Sequence, residues 1–253
     1  MQYSELHCIT NFTFLRGASH PHELVTMASN LGYRALAITD ECSLAGVVKA
    51  HVATFNRNIK LIIGSEFKID SHKVIVLVTN RNSYSKLSSL ITLARRRSKK
   101  GSYQIKWSDL KFNNDDLLII WLPCGDFKKD QLIISQLHDW FERRLWIGFH
   151  NLLNGTETSH LSYLQKLSLL WKVNVVACGD VHMHKKDRQP LQDVLTAIKQ
   201  KCSIMELGKS RYPNSERYLR KIEYLKNIYP EELMRETINI SNLCNFSLNE
   251  LRY

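Results

Sequence analysis

Two acidic residues, Asp40 and Glu41, directly follow the apolar run 35–39 in the segment ALAITDECSLAG. A buried strand that ends in carboxylates is where α/β folds place ligands and chemistry, although the same pair also fits as a cap for the helix that follows. The pattern recurs along the chain. His7 follows a short strand, Glu66 closes IIGSEF, Cys124 follows DLLIIWLP, and Asp180 and His182 stand in VVACGDVHMH. Histidines, carboxylates and a thiol are the ligand set of a divalent metal ion. A lone strand-end histidine more often packs or faces solvent, so the weight lies in their recurrence at successive strand ends.

The elements that must position these groups alternate. Short apolar runs read as strands at 3–7, 35–39, 60–69, 73–79, 116–122, 145–149 and 173–178. Helical periodicity is expected at 19–31, 43–56, 84–97, 131–144, 160–171, 189–199, 215–229 and 231–244. Strand–helix alternation calls for a parallel sheet with crossover helices, and about seven such units favour a barrel over an open sheet. No low-complexity linker divides the chain. The expected organisation is a barrel over residues 1–201 followed by a helical C-terminal appendage over 202–253.

Composition narrows the class and the partners. The chain has 253 residues, 44% hydrophobic and 23% charged, as in ordinary globular proteins. No apolar run reaches membrane-spanning length and the N-terminus lacks a signal-peptide pattern, so no membrane partner is expected. The six cysteines are scattered without CxxC spacing, which fits reduced thiols and a cytoplasmic location. A net charge of +11 fits nucleic acid or phosphate partners, and equally a solvated lysine-rich surface. The densest run is Arg95, Arg96, Arg97, Lys99 and Lys100. It reads either as a phosphate-backbone contact or as a basic helix end favoured by the dipole.

Taken together, LHCITNFTFLRGASHPHELV, LGYRALAITDECSLAGVVKAH, LIIGSEF, LSSLITLARRRSKKGSY, VVACGDVHMHKKDRQPLQDVLTAIKQ and YPEELMRETINISNLCNFSLNELRY cover nearly the whole chain. In these blocks the sequence resembles the PHP (polymerase and histidinol phosphatase) domain. That domain is the N-terminal module of bacterial C-family DNA polymerases of the DNA polymerase III alpha type, and the match is most similar to the error-prone, damage-inducible branch. The resemblance implies an α/β fold, a distorted (β/α)7 barrel of the PHP type. It also implies a divalent-metal cluster that hydrolyses phosphoesters in active members, in some polymerases as a 3′–5′ proofreading exonuclease.

Carried over residue by residue, the resemblance implies an incomplete ligand set. His7, Asp40, Glu66, Asp180 and His182 match motif positions, and Cys124 aligns with a cysteine ligand. At four ligand positions the residue differs: Ile9 for a histidine, Arg16 for an aspartate, Glu41 for a histidine, and Lys73 for a histidine. His72 stands one residue early and, by strand alternation, should point away. Arg16 and Lys73 have no lone pair to donate and should pair with Asp40, Glu41 and Glu66 instead. The expectation is therefore a metal-free structural scaffold. The alternative is a residual phosphoesterase or 3′–5′ exonuclease using Mn, Zn or Mg. The family's polymerase palm follows the PHP domain, so this chain reads as an excised domain or a truncated gene product. DNA synthesis, translesion synthesis and DNA repair would belong to the full-length protein, with DNA, the palm, a sliding clamp and accessory lesion-bypass proteins as partners.

Overall fold

A computed structural model describes residues 2–112 and 116–251, so the closing Arg252 and Tyr253 of the expected appendage lie outside the described residues. Seven strands pair in sequence order: β1 (Ser4–Glu5), β2 (Ala35–Ile38), β3 (Lys60–Ile69), β4 (His72–Val78), β5 (Leu117–Leu122), β6 (Leu145–His150) and β7 (Val175–Cys178). Beyond the ends of β7 and β1 the chain zips the sheet shut. Cys8 bridges Val181, the Ile9 N–H donates to Val181 O at 2.9 Å, and the Val181 N–H donates to His7 O at 2.9 Å. The result is a nearly closed barrel.

One strand departs from the parallel expectation. β4 runs antiparallel to both β3 and β5, while the other pairings are parallel. The reason is local. Only Asp70 and Ser71 separate β3 from β4, far too few for a crossover, and Asp70 adopts φ 53° as a tight hairpin turn demands. Reversal brings the start of β4, rather than its end, to the face where the parallel strands terminate. That is how Lys73 reaches the same face as Glu66.

Side chains alternate between two cores. Ala37, Ile62, Ile75, Ile120, Trp146 and Val176 fill the barrel interior, whereas Val74, Val76, Ile119 and Ile147 face the helical layer. The outer layer includes α1 (Pro21–Asn30), α2 (Val47–Thr54), α3 (Arg81–Arg96), α4 (Trp107–Phe112), α5 (Phe127–Phe141), α6 (Glu157–Trp171) and α7 (Gln189–Gln200). Two further helices, α8 (Ile222–Ile228) and α9 (Glu231–Leu243), complete the described chain. Ile240 of α9 and the following Cys244 join the interior cluster, and Glu236 of α9 accepts from Trp146 Nε1 at 3.0 Å. α9 therefore plugs the end of the barrel opposite the site.

α4 was not expected, and α3, α5 and α6 start three or four residues before their expected positions; three further differences have a clear local cause. Ser19 does not cap α1: His20 does, in a capping box with Glu23, while Ser19 Oγ bonds His184 Nδ1 at 2.8 Å. α2 starts at Val47 rather than 43, because the chain first folds back under Asp40. There Gly46 lies so close that an added Cβ would sit 2.6 Å from Asp40 Oδ2. The helix expected over 215–229 is only Ile222–Ile228. Residues 217–219 instead pair with the backbone after β7: His182 and Met183 N–H groups donate to Arg217 O at 2.9 and 3.0 Å. Tertiary pairing overrides local helical preference there.

Candidate functional site

Alternation along the strands sets what reaches the mouth of the barrel. On β3, Ile62 and Gly64 point inward, so Glu66 does too. On β6, Trp146 and Gly148 do the same for His150, and beyond β7 the inward Cys178 is followed two residues later by Asp180. Lys73 shares the inward parity of Ile75. These groups converge on Glu66, which is fully buried.

Glu66 is surrounded by donors. Arg16 donates to its two oxygens at 2.6 and 3.0 Å and to Glu41 Oε2 at 2.7 Å. His7 Nε2 lies 2.6 Å from Glu66 Oε2 and 3.6 Å from Asp180 Oδ1, and Lys73 Nζ lies 3.7 Å from Glu66. Arg217 forms an ion pair with Asp180 and stacks over Tyr212, with 4.5 Å between its guanidinium carbon and the ring centre. His150 Nε2 meets His7 Nδ1 at 3.0 Å, and His182 Nε2 meets Asp180 Oδ1 at 3.2 Å. The other His182 nitrogen, Nδ1, is buried without a partner among the described residues. Glu41 also accepts from Tyr103 OH at 2.9 Å and lies 3.6 Å from Lys68 Nζ.

Four cations, Arg16, Lys68, Lys73 and Arg217, thus face three carboxylates, and the electrostatics follow. Burial alone would raise the Glu66 carboxyl, but the charges of Arg16 and Lys73 outweigh it and hold the group well below the usual range. Burial pushes His182 and His150 well below the ordinary imidazole value, assisted by Arg16 and Lys73 at His182 and by His7, Lys73 and Arg217 at His150, and burial also lowers His7 despite Glu66. The imidazoles are accordingly neutral at pH 7. Burial pushes the Lys73 ammonium down to about 8, and burial with the nearby Arg16 lowers Arg217 to about 10.

Other sequence candidates lie elsewhere. Asp40 does not pair with Arg16 or Lys73. Its carboxylate accepts from Thr10 N–H at 2.8 Å, Thr10 Oγ1 at 2.8 Å and Thr13 Oγ1 at 2.7 Å, so it organises the loop that carries Arg16. Ile9, in place of a histidine ligand, is fully buried. Cys124 turns away after β5. Its N–H donates at 2.9 Å to Asp130 of α5, which also accepts from Tyr163 and meets His72 Nε2 at 2.9 Å. His72, Cys124 and Asp130 offer ligand atoms within 4.8 Å of one another on the helical side, but Asp130 is already saturated with hydrogen-bond donors there. In the basic run, Arg95 is committed to the carbonyls of Cys42 and Glu41, both at 3.2 Å, and Arg97 to Asp109. Arg96, Lys99 and Lys100 remain exposed.

Sequence reasoning missed two residues at the centre. His150 was legible: continuing the strand one residue past 149 and counting alternation from Trp146 finds it. Arg217 had no comparable signal, because an irregular segment carries it to the mouth.

A metal ion would need the donor atoms of His7, Glu66 and Asp180, which come within 4.8 Å of one another. The guanidinium of Arg16 already bonds both Glu66 oxygens and sits 3.9 Å from Asp180. Arg217 takes the second Asp180 oxygen. Cations fill the positions from which an ion would draw charge, so the residues do not fit a metal cluster.

The family and the fold have known counterparts. The PHP domain family matches residues 5–144. The chain is similar to the error-prone DNA polymerase of Saccharophagus degradans, 47% identical over 254 residues, covering 100% of this chain and 25% of that protein. It is likewise 48% identical over 253 residues to the error-prone DNA polymerase of Methylococcus capsulatus, covering 99% of this chain and 24% of that one. The chain spans about a quarter of the length of these relatives. Among solved structures, an amidohydrolase from Chromobacterium violaceum, solved with bound sulfate and no metal, superposes with a TM-score of 0.51 at 13% identity. The match covers 71% of this chain and 87% of that one, and it bears on the fold alone.

Proposed function

The chain belongs to the PHP domain family, and on that footing we propose that it serves as the N-terminal scaffold domain of an error-prone DNA polymerase, with ion pairs standing where active relatives hold metal. The observation that carries this reading is the Arg16 guanidinium bonded to both oxygens of the buried Glu66. A bidentate pair of this kind uses the lone pairs a metal would need and supplies the neutralising charge itself. On this reading, DNA synthesis, translesion synthesis and repair reside in the longer polypeptide, in the cytoplasm. DNA, the palm, a sliding clamp and accessory lesion-bypass proteins are then partners of that whole protein. Exposed apolar residues on α7, Leu191, Val194 and Ile198, suit contact with further protein.

A second reading has one observation in its favour. The ligand atoms of His7, Glu66 and Asp180 lie within 4.8 Å of one another, with His182 Nε2 at 3.2 Å from Asp180 Oδ1, as a reduced ion site would have them. It would make the domain a reduced metal-dependent phosphoesterase. Incubating the chain with 3′-labelled single-stranded DNA and Mn²⁺, Zn²⁺ or Mg²⁺ separates the two. The scaffold reading expects no cleavage above a metal-only control; cleavage that disappears in His182→Ala establishes the phosphoesterase.

A further inference from the structure

Asp130, in the first turn of α5, is as fully buried as Glu66, but its surroundings are different. At the mouth, guanidinium and ammonium groups neutralise the carboxylates. Among the described residues no lysine or arginine nitrogen lies within 4.0 Å of Asp130, and its only ion-pair partner is His72, with Nε2 at 2.9 Å. A buried carboxylate is paired with a cation, hydrogen-bonded or bound to a metal ion. Here the neighbours are of metal-ligand type. Lys73 stands opposite Leu122 in the β4–β5 pairing, so His72, facing the helical side, lies beside the turn that carries Cys124. The imidazole, the half-buried thiol and the carboxylate present ligand atoms within 4.8 Å of one another.

The donors that saturate Asp130 fall into two kinds. Three hold the carboxylate from behind: the N–H groups of Cys124 and Gly125, each at 2.9 Å, and Tyr163 OH of α6 at 2.5 Å. Such donors are the usual support of a metal-binding carboxylate. The fourth, His72 Nε2, is itself a ligand and donates to Oδ1 only while it carries the ring proton. With an ion on Nε2 that proton resides on Nδ1, which has no hydrogen-bond partner among the described residues to give up. Oδ1 then loses one donor and regains a lone pair, and the thiol releases its proton to bind. The charges balance, because thiolate and carboxylate together neutralise one divalent ion. Sulfur with imidazole favours Zn²⁺ over Mg²⁺ or Mn²⁺, and three protein ligands leave a fourth tetrahedral position for water. The exposed Gly125 beside Cys124 opens that position to solvent.

We propose that His72, Cys124 and Asp130 bind one Zn²⁺ ion on the helical side of the barrel, tying the start of β4 and the turn after β5 to α5. The site lies on the opposite face of the sheet from Glu66 and is independent of the scaffold reading of the mouth.

Titration of the reduced, chelator-stripped 253-residue chain tests this, first with Co²⁺ as a spectroscopic stand-in and then with Zn²⁺ against a chromophoric chelator. One ion per chain is expected, with a thiolate-to-cobalt charge-transfer band that Zn²⁺ bleaches. Cys124→Ser should abolish the band and weaken Zn²⁺ binding at least about tenfold, a loss of ~1.4 kcal/mol. Cys202→Ser, at the other half-buried cysteine, should leave both unchanged. A measurement on the unaltered chain guards against a folding defect in the variant. Zn²⁺ should slow alkylation of Cys124 by iodoacetamide at least about tenfold, read by peptide mass spectrometry, without protecting Cys202. Absence of the charge-transfer band, undiminished Zn²⁺ binding in Cys124→Ser, or equal protection of both cysteines overturns the proposal. An ion retained in Cys124→Ser but lost in His182→Ala sits at the mouth, which overturns the scaffold reading as well, whereas absence of any bound ion overturns this proposal alone.

Discussion

Replacing Arg16 by methionine keeps an unbranched side chain and removes the guanidinium that bonds Glu41 at 2.7 Å and both Glu66 oxygens at 2.6 and 3.0 Å. Glu66 has no solvent exposure, so its charge is left inside the barrel. Breaking a buried pair by deleting one partner costs about 3–5 kcal/mol, mostly from the stranded charge. Two neighbours offset part of this: Lys73 Nζ at 3.7 Å, and His7 Nε2 at 2.6 Å. We therefore expect a loss near the lower end, about 3 kcal/mol at pH 8. In a chain of this size that corresponds to a fall in Tm of roughly 6–12 °C. The loss should shrink at pH 6. Arg16 is one of the groups holding His7 below its ordinary value, so without it His7 protonates more readily and supplies the positive charge Glu66 has lost. Urea unfolding at both pH values, followed by tryptophan fluorescence, reads the difference. A loss under about 1 kcal/mol at pH 8 would refute the reasoning, since that is what a solvent-screened surface pair is worth. An equal loss at both pH values would refute the compensation by His7.

Two other outcomes follow from the same geometry. His7, His150 and His182 are all held below the ordinary imidazole value by burial. Below about pH 6.5 the unfolded chain therefore takes up protons that the folded chain refuses, and stability falls with decreasing pH by up to roughly 4 kcal/mol per unit. Denaturant unfolding between pH 5 and 8 checks this, and a flat profile would contradict it. Asp40→Ala removes the acceptor of three hydrogen bonds from the loop that carries Arg16. It should cost about 2–4 kcal/mol and expose residues 10–17 to limited proteolysis; an unchanged digestion pattern would argue against this role for Asp40.

The barrel was legible because apolar runs and helical stretches alternate so regularly, and because strand parity carries Glu66 and Asp180 inward from the interior residues that precede them. The same parity argument turned His72 outward, where it meets Asp130. The reversed β4 was not anticipated, although a two-residue gap between β3 and β4 leaves room for nothing but a hairpin. Asp40 and Cys124 misled for a shared reason. Position after a strand fixes where a residue starts, but the next turn decides where its side chain goes. Asp40 is captured by Thr10 and Thr13, and the chain at Cys124 bends out to α5. Arg217 lay beyond reach because residues 217–219 are placed by backbone bonds to residues 182 and 183, a long-range pairing with no periodic trace in the sequence.

The central claim is that guanidinium and ammonium groups occupy the position of a metal centre. Mass spectrometry of the chain after loading with Mn²⁺ and desalting tests it most directly, because Mn²⁺ prefers the carboxylate and imidazole donors of the barrel mouth to the scattered thiols. Manganese no higher than in an unloaded control is the predicted result. One ion retained per chain, and lost in His182→Ala, would contradict the account and make the cluster around Glu66 a working metal site.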